Sequence, residues 1–134
     1  MFSHVFTSVK DFDRALAFYR PLMNCLGIAE RFCEADEPWA GWHCEGGCRP
    51  LFVICKPFDG RSHDAGNGQM VAFAAADRAM VRRAYQTALQ AGGTCEGPPG
   101  LRAHYHPNYY GAYFRDTEGN KLCVACHAPE APAA

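Results

Sequence analysis

Side chains able to bind or react crowd into one stretch, Gly97 to Tyr113, where Arg102, His104, Tyr105, His106, Asn108, Tyr109, Tyr110 and Tyr113 nearly follow one another. Imidazoles titrate near neutrality, so His104 and His106 are candidates for moving a proton, with Tyr109 as a third candidate catalytic group. Tyrosines are rigid and amphipathic and give contact area at small entropic cost. Arg102, Tyr105 and Tyr110 are accordingly candidate ligand contacts, and Pro98-Pro99-Gly100 and Pro107 bound and stiffen the segment. The same tyrosines would equally serve as core or dimer-interface packing, with the histidines as solvated loop residues. Trp39 and Trp42, near Arg49, make a smaller set: three apart on a strand, they face opposite ways. One belongs to the core and the other can wall a cavity or an interface; Trp42 is taken as a further candidate ligand contact. His63 reads as a solvated residue of a connector.

Eight cysteines offer other chemistry. Cys123-Val124-Ala125-Cys126-His127 is a literal C-x-x-C-H string, the pattern of covalent haem attachment. On a flat strand, however, alternation sends Cys123 and Cys126 to opposite faces, where they cannot hold one cofactor edge or clip one zinc ion. Cys44-Glu45-Gly46-Gly47-Cys48 is better shaped to bring two thiolates together, but a structural zinc needs two more ligands. Cys25, Cys33, Cys55 and Cys95 lie in or beside apolar segments, where free cysteine packs as a small hydrophobe.

Composition bounds the rest. The chain has 134 residues, 49% apolar and 20% charged, with a formal net charge of −1. That suffices for one packed interior, and basic residues do not run together, so neither nucleic acid nor a membrane surface is an expected partner. The opening Met1-Phe2-Ser3-His4-Val5-Phe6 carries no basic leader or long apolar run, which gives a cytoplasmic, reducing expectation in which disulfides do not form.

The elements that must position these residues repeat. His4-Val5-Phe6-Thr7-Ser8-Val9-Lys10-Asp11 can be laid on Met70-Val71-Ala72-Phe73-Ala74-Ala75-Ala76-Asp77, 66 positions on, and the same shift takes Tyr19 to Tyr85 and Gly27 to Gly93. Each copy opens with a strand (2 to 9; 69 to 75). Asp11 and Asp77 then offer a carboxylate to the N–H groups of a helix start. Helical stripes follow: Phe12, Ala15, Leu16, Tyr19, Leu22, Met23 and Leu26, then Met80, Val81, Ala84, Tyr85, Ala88 and Leu89. Pro21 should kink the first helix or end its regular part. Gly27 and Gly92-Gly93 supply the stops. Three strands follow each helix, at about 28 to 34, 39 to 44 and 50 to 56, and at about 94 to 97, 109 to 116 and 121 to 127. Glu45-Gly46-Gly47 and Asp116-Thr117-Glu118-Gly119-Asn120 are the matching turns. Residues 57 to 68 connect the halves, and 128 to 134 are expected to be disordered. The fold class is therefore α+β: two tandem βαβββ modules, about 2 to 56 and 69 to 127, within one domain spanning 1 to 127. A module of this size buries its sheet poorly alone, so pairing within the chain and again across a dimer is expected.

With this architecture, Ser3 to Asp11 followed by Arg14-Ala15-Leu16-Ala17-Phe18-Tyr19 resembles the first strand and helix of the vicinal-oxygen-chelate superfamily, which holds glyoxalases, bleomycin-resistance proteins and ring-cleaving dioxygenases. Arg115-Asp116-Thr117-Glu118-Gly119-Asn120-Lys121 resembles its last hairpin. The resemblance implies curved mixed sheets around a cavity. It also implies a divalent metal held by one residue from the first and one from the last strand of each module. The first-strand positions are His4 and Met70. Laying Pro50 to Cys55 on Lys121 to Cys126 puts the others at Phe52 and Cys123. The family pattern wants His, Glu, His, Glu; phenylalanine cannot coordinate, and a thioether and a thiolate suit a thiophilic ion better than a hard one.

Three functions follow from these residues. The first is a small-molecule binding protein, or a metal-independent enzyme, with a cavity at the module or subunit junction and a degenerate metal site. The second is a divergent metal-dependent lyase, isomerase or dioxygenase using His4 and Cys123, with His104 or His106 replacing lost carboxylates. The third is a thiol-rich regulatory or structural module. The first is preferred, as a homodimer with a small-molecule ligand, and no cofactor is assigned beyond a possible divalent or thiophilic metal ion.

Overall fold

The structure is a computed structural model and describes residues 1–44 and 46–132; Glu45 of the first predicted turn and residues 133 and 134 of the predicted tail lie outside the described residues. The elements run β1 (His4–Ser8), α1 (Phe12–Cys25), β2 (Ile28–Glu34), β3 (Trp39–Cys44) and β4 (Leu51–Cys55). Then follow β5 (Val71–Ala74), α2 (Arg78–Gln90), β6 (Thr94–Leu101), β7 (Tyr110–Arg115) and β8 (Lys121–Cys126). Two four-stranded mixed sheets result, ordered β1-β4-β3-β2 and β5-β8-β7-β6. In each, the first strand runs parallel to the last and the remaining pairs are antiparallel. The chain is thus two tandem βαβββ modules of one topology. No helix among the described residues is long and apolar enough to cross a membrane.

Local chemistry sets the helix ends. The Asp11 carboxylate accepts the Arg14 N–H at 3.0 Å and that of Asp77 accepts the Met80 N–H at 2.7 Å, each satisfying a donor the helix cannot. Gly27 (φ 70°) and Gly92 (φ 101°) close the two helices in the left-handed region. Gly93 serves differently: a Cβ there would sit 2.8 Å from the carbonyl oxygens of Ala88 and Arg115, so it lets α2 approach β7. Helix α1 does not end at Pro21 but continues to Cys25. An interior proline costs roughly 3 kcal/mol. Burying Leu22 and Met23 beyond it, worth about 1.5–3 kcal/mol each, offsets that.

One apolar core joins the helix-covered sides of both sheets. Phe52 of β4 meets Phe73 of β5 edge-on with ring centroids 5.0 Å apart, and Phe18 of α1 lies 6.4 Å from Phe114 of β7. Polar latches reinforce this junction. The buried Tyr19 hydroxyl donates to Asp116 Oδ2 at 2.5 Å, and Asp116 also accepts the N–H groups of Glu118 and Asn120 and the Asn120 amide. Burial, then the neighbouring Asp116 charge and hydrogen bond, hold the Tyr19 phenol well above its ordinary pKa. Glu118 accepts the Lys10 N–H at 2.7 Å and binds Arg14 at 2.9 Å. His63 is not a free loop residue: its Nδ1 pairs with Ser8 Oγ at 2.6 Å and its Nε2 lies 2.9 Å from the Glu118 carbonyl oxygen. A carbonyl can only accept, so Nε2 carries the proton and Nδ1 receives the Ser8 hydroxyl.

Strand alternation then assigns faces. Phe52 and Ile54, and Leu122, Val124 and Cys126, belong to the core. The opposite, helix-free faces carry cross-strand rows. In the first sheet one row runs Phe6, Val53, Gly41, Phe32; in the second the corresponding row runs Ala72, Cys123, Tyr113, Gly97.

Candidate functional site

These rows correct one sequence alignment. Val5 lies opposite Phe52, and Val71 opposite Leu122, so the residue matching Cys123 is Val53 and not Phe52. A one-residue slip turns every side chain of a strand to the other face. Phe52 is therefore a core residue, packed on Tyr19 and Phe73.

The positions proposed as ligands lie in different surroundings. His4 is exposed, hydrogen-bonded to Ser3 Oγ and stacked against Phe6. Met70 is 42% exposed ahead of β5, whereas Cys123 is fully buried on the second sheet. No Cα of β1 comes within 8 Å of one in β5 or β8. Among the described residues no group of three or more His, Cys, Asp or Glu side chains is gathered as metal ligands. With a thioether in place of the second imidazole, and a valine and a thiol in place of the two carboxylates, these positions do not fit the hard divalent ion that the fold family implies.

The C-x-x-C-H string also disperses. Cys123 lies under Tyr109, Cys126 is in the core, and the Nδ1 of His127 pairs with the Nε2 of His106 at 2.8 Å. The packing role assigned to Cys33 and Cys95 does not hold, since both are exposed, as are Cys44 and Cys48; only Cys123 and Cys126 are buried. Cys33 and Cys95 stand on β2 and β6, the outermost strands of their sheets, where no neighbouring strand shields them.

The polar-aromatic stretch divides between two faces. Tyr110 belongs to the helix side: Arg82 donates to its hydroxyl at 3.3 Å, and the Arg78 guanidinium lies 5.3 Å from its ring centre. It shares the side of β7 that carries the core residues Ala112 and Phe114 and is itself only partly buried. Trp42 is almost fully buried against Tyr19 and Phe52, while Trp39 on the other face is 36% exposed. Arg102, Tyr109, Tyr113 and Cys123 do meet, on the helix-free face of the second sheet. Tyr109 folds back over Gly111, where a Cβ would lie 3.0 Å from its ring. Its hydroxyl is 3.0 Å from that of Tyr113 and 3.7 Å from Cys123 Sγ. Arg102 stands 5.4 Å and the Lys121 ammonium 5.8 Å from the Tyr113 ring centre.

Burial raises the pKa of all three central groups. For Tyr109 the hydrogen bonds to Tyr113 and Cys123 add to it. For Cys123 the two tyrosines and the charges of Arg102 and Lys121 only partly oppose it. The Tyr113 phenol is raised as well, chiefly by burial. The face thus presents neutral phenols, a neutral thiol and two cations. Tyr105, packed on Tyr109 at 4.8 Å, and His104, stacked on Tyr105 at 4.2 Å, extend it outward. His106 Nδ1 accepts the Asn108 N–H at 3.1 Å, which leaves Nε2 to donate to His127. Lys121, His127 and His63 were missed by sequence reasoning. Period-two alternation from Cys123 would have found Lys121; the other two carry no local signal.

A separate hollow of about 520 Å³ opens at the module junction, walled by Phe2, Val5, Leu26, Trp42, Phe52 and Phe73 among others. A smaller one of about 330 Å³ runs between β1 and the β5–β8 edge, with Ser8, Gln69, Met70 and Lys121 on its walls.

Relatives agree with this geometry. A glyoxalase/bleomycin resistance protein from Albidiferax ferrireducens T118 is 34% identical, with 94% of this chain and 98% of that one covered and a TM-score of 0.82. A glyoxalase/bleomycin resistance protein/dioxygenase family enzyme from Burkholderia phytofirmans PsJN (19% identity, 94% and 98% covered, TM-score 0.69) shares the fold. So does a lactoylglutathione lyase from Agrobacterium tumefaciens (22% identity, 94% and 92% covered, TM-score 0.64). No curated protein matches the chain. The family model for these proteins matches residues 1–124, so the paired βαβββ modules, their shared core and the sequence agree: the chain belongs to the Glyoxalase/Bleomycin resistance protein/Dioxygenase superfamily.

Proposed function

We propose that this protein binds a small, largely apolar molecule at the junction of its modules, with the family's metal positions given over to other uses. The observation that carries the reading is the hollow of about 520 Å³ beside Trp42, Phe52 and Phe73. Its size falls in the range of small-molecule sites, about 300–1,000 Å³, and its walls offer apolar area with few polar groups. Trp42 gives a direct readout, because an occupant of the hollow changes the surroundings of its indole. A panel of apolar metabolites, followed by thermal shift and by tryptophan emission in the Trp39→Phe protein, tests it. A ligand at 100 times its Kd adds about 2.7 kcal/mol of stability. If no compound shifts either signal, the reading fails.

The working form in this reading is a homodimer in the cytoplasm. Phe6 (57% exposed) and Phe58 (107%) leave apolar surface beside Trp39 on the first sheet, which a second copy would cover. Sedimentation of the purified chain showing only monomers would remove this part.

A further inference from the structure

The connector between the modules contributes to a side-chain pair that neither the core nor the junction hollow uses. Ser8 ends β1, at the opposite end of that strand from His4 and, by strand rise, about 13 Å from it. Its hydroxyl oxygen lies 2.6 Å from His63 Nδ1, and His63 Nε2 lies 2.9 Å from the Glu118 carbonyl oxygen. The carbonyl takes the Nε2 proton, so the Nδ1 lone pair faces the Ser8 O–H. A nucleophile, a base and a group that orients the base are thus in hydrogen-bond contact.

Each member is held from behind. Asn120 donates its amide to the Ser8 carbonyl at 3.0 Å, and the Val9 N–H donates to the Cys55 carbonyl at 2.9 Å, which fixes the end of β1. The Glu118 N–H donates to Asp116 Oδ1 at 2.8 Å, and the Glu118 carboxylate accepts from the Lys10 N–H and from Arg14. Ser3 and His4 offer a contrast. They also pair, at 3.0 Å, but both are exposed and nothing among the described residues holds the far nitrogen of His4. A purely structural latch needs no open space beside its serine. Ser8 instead lines the hollow of about 330 Å³, with Gln69, Asn120 and Lys121 on the same walls.

We infer that Ser8 and His63 are a nucleophile and base that hydrolyse a small uncharged carboxylic ester in this hollow. The volume suits a short acyl group, and Asp64 and Lys121 give the walls both signs of charge, which favours neither a cationic nor an anionic substrate. Ser8 Oγ bonds to the ester carbonyl carbon while its proton passes to His63 Nδ1. The Lys121 ammonium and the Gln69 amide are the donors available to the oxygen that gains charge. The same proton then goes to the departing alcohol oxygen as the carbon–oxygen bond breaks, leaving acyl-Ser8. Water, giving its proton to Nδ1, repeats the cycle and releases the carboxylic acid.

Reaction of the full chain with a fluorophosphonate, read by peptide mass spectrometry, tests this. Ser8 Oγ should form one bond to phosphorus as fluoride leaves with the hydroxyl proton, and Ser3 should stay unmodified. Hydrolysis of 4-nitrophenyl acetate should exceed that of Ser8→Ala, which keeps every thiol that reacts unspecifically. His63→Gln separates base from latch. Its amide can accept from Ser8 and donate to the Glu118 carbonyl, but it cannot take up a proton. It should melt as wild type does and label more than tenfold slower, as loss of a general base requires. The inference is overturned if Ser8 takes no adduct, if Ser3 is labelled as fast, if ester hydrolysis matches that of Ser8→Ala, or if His63→Gln labels within tenfold of wild type. Should His63→Gln not fold, the selectivity for Ser8 over Ser3 and the comparison with Ser8→Ala decide. Ser8 is no wall of the junction hollow, so ligand effects on Trp42 emission can fail or succeed separately.

Discussion

The middle rows of the two sheets have the same register but opposite contents. In the first sheet Phe6, Val53, Gly41 and Phe32 line up as hydrocarbon, and in the second Ala72, Cys123, Tyr113 and Gly97 do so with a thiol and a phenol. Each row pairs one aromatic ring with one glycine, but the order is exchanged. Phe32 on β2 covers Gly41 of β3, while Gly97 on β6 makes room for Tyr113 of β7. A duplicated backbone therefore keeps the space for a ring and lets either strand supply it. Once the ring comes from the inner strand of the pair, its hydroxyl stands over the sheet centre, where Tyr109, Arg102 and Lys121 can reach it. The polar site belongs to the second module because of that exchange.

The largest test of this contrast opposes the two sides of β4. Phe52→Ala should cost about 3–5 kcal/mol in urea unfolding, as for other buried aromatic truncations, while Val53→Ala costs less than half as much. Comparable costs would mean that the faces have been misassigned. Next comes the latch between Tyr19 of the first module and the last turn of the second. Asp116→Ala removes the acceptor of the Tyr19 hydroxyl and of three further donors. A loss of about 3 kcal/mol is expected, most of it shared with Tyr19→Phe in a double-mutant cycle. Additive losses would break the link between modules. Smaller still, Gly41→Ala should cost about 1–2 kcal/mol, because a Cβ would displace the Phe32 ring, and Gly97→Ala less, since its nearest neighbours stand 3.3 Å away.

Two titrations sharpen the comparison without large losses. Burial alone would raise Glu118, but the hydrogen bonds from Arg14 and the Lys10 and Asp11 N–H groups outweigh it and leave its pKa lowered. As pH falls below the ordinary carboxylate range the unfolded chain takes up this proton first, so stability drops until the folded group protonates as well. Glu118→Gln should flatten that acid limb in urea midpoints measured across pH; an unchanged limb would remove the latch from the account. At the alkaline end, absorbance titration should show Tyr19 and Tyr109 still protonated at a pH about one unit above the ordinary tyrosine value, near 10. Simultaneous ionisation of all six tyrosines in the folded chain would contradict the buried phenol pair.

Much of the architecture was legible in local chemistry. Asp11 and Asp77 are capping residues, Gly27 and Gly92 close helices, and Trp39 and Trp42 part to opposite faces, all as their types and spacing dictate. The site was less legible. Tyr109 and Arg102 belong together as their crowding suggested, but Tyr110 turns to α2, and Trp42 faces the junction hollow far from that cluster. His63 is pinned by a serine 55 positions away in the chain, a contact that no neighbouring residue announces.

The sequence by itself determined the order of strands, helices and turns, because caps, stops and periodicity act over a few residues, but β6 runs past its expected end to Leu101. It also determined that the chain is two copies of one module. Only the tertiary structure decided which face of each strand is core. Alternation defines two faces without naming them, and sliding β4 by one residue exchanges Phe52 for Val53. It likewise decided that His4 and Met70 are exposed and Cys123 buried, while Arg102, Lys121 and two tyrosines meet. Such encounters depend on how distant strands register and how two helices share one interior, and side-chain chemistry read along the chain does not contain that distance.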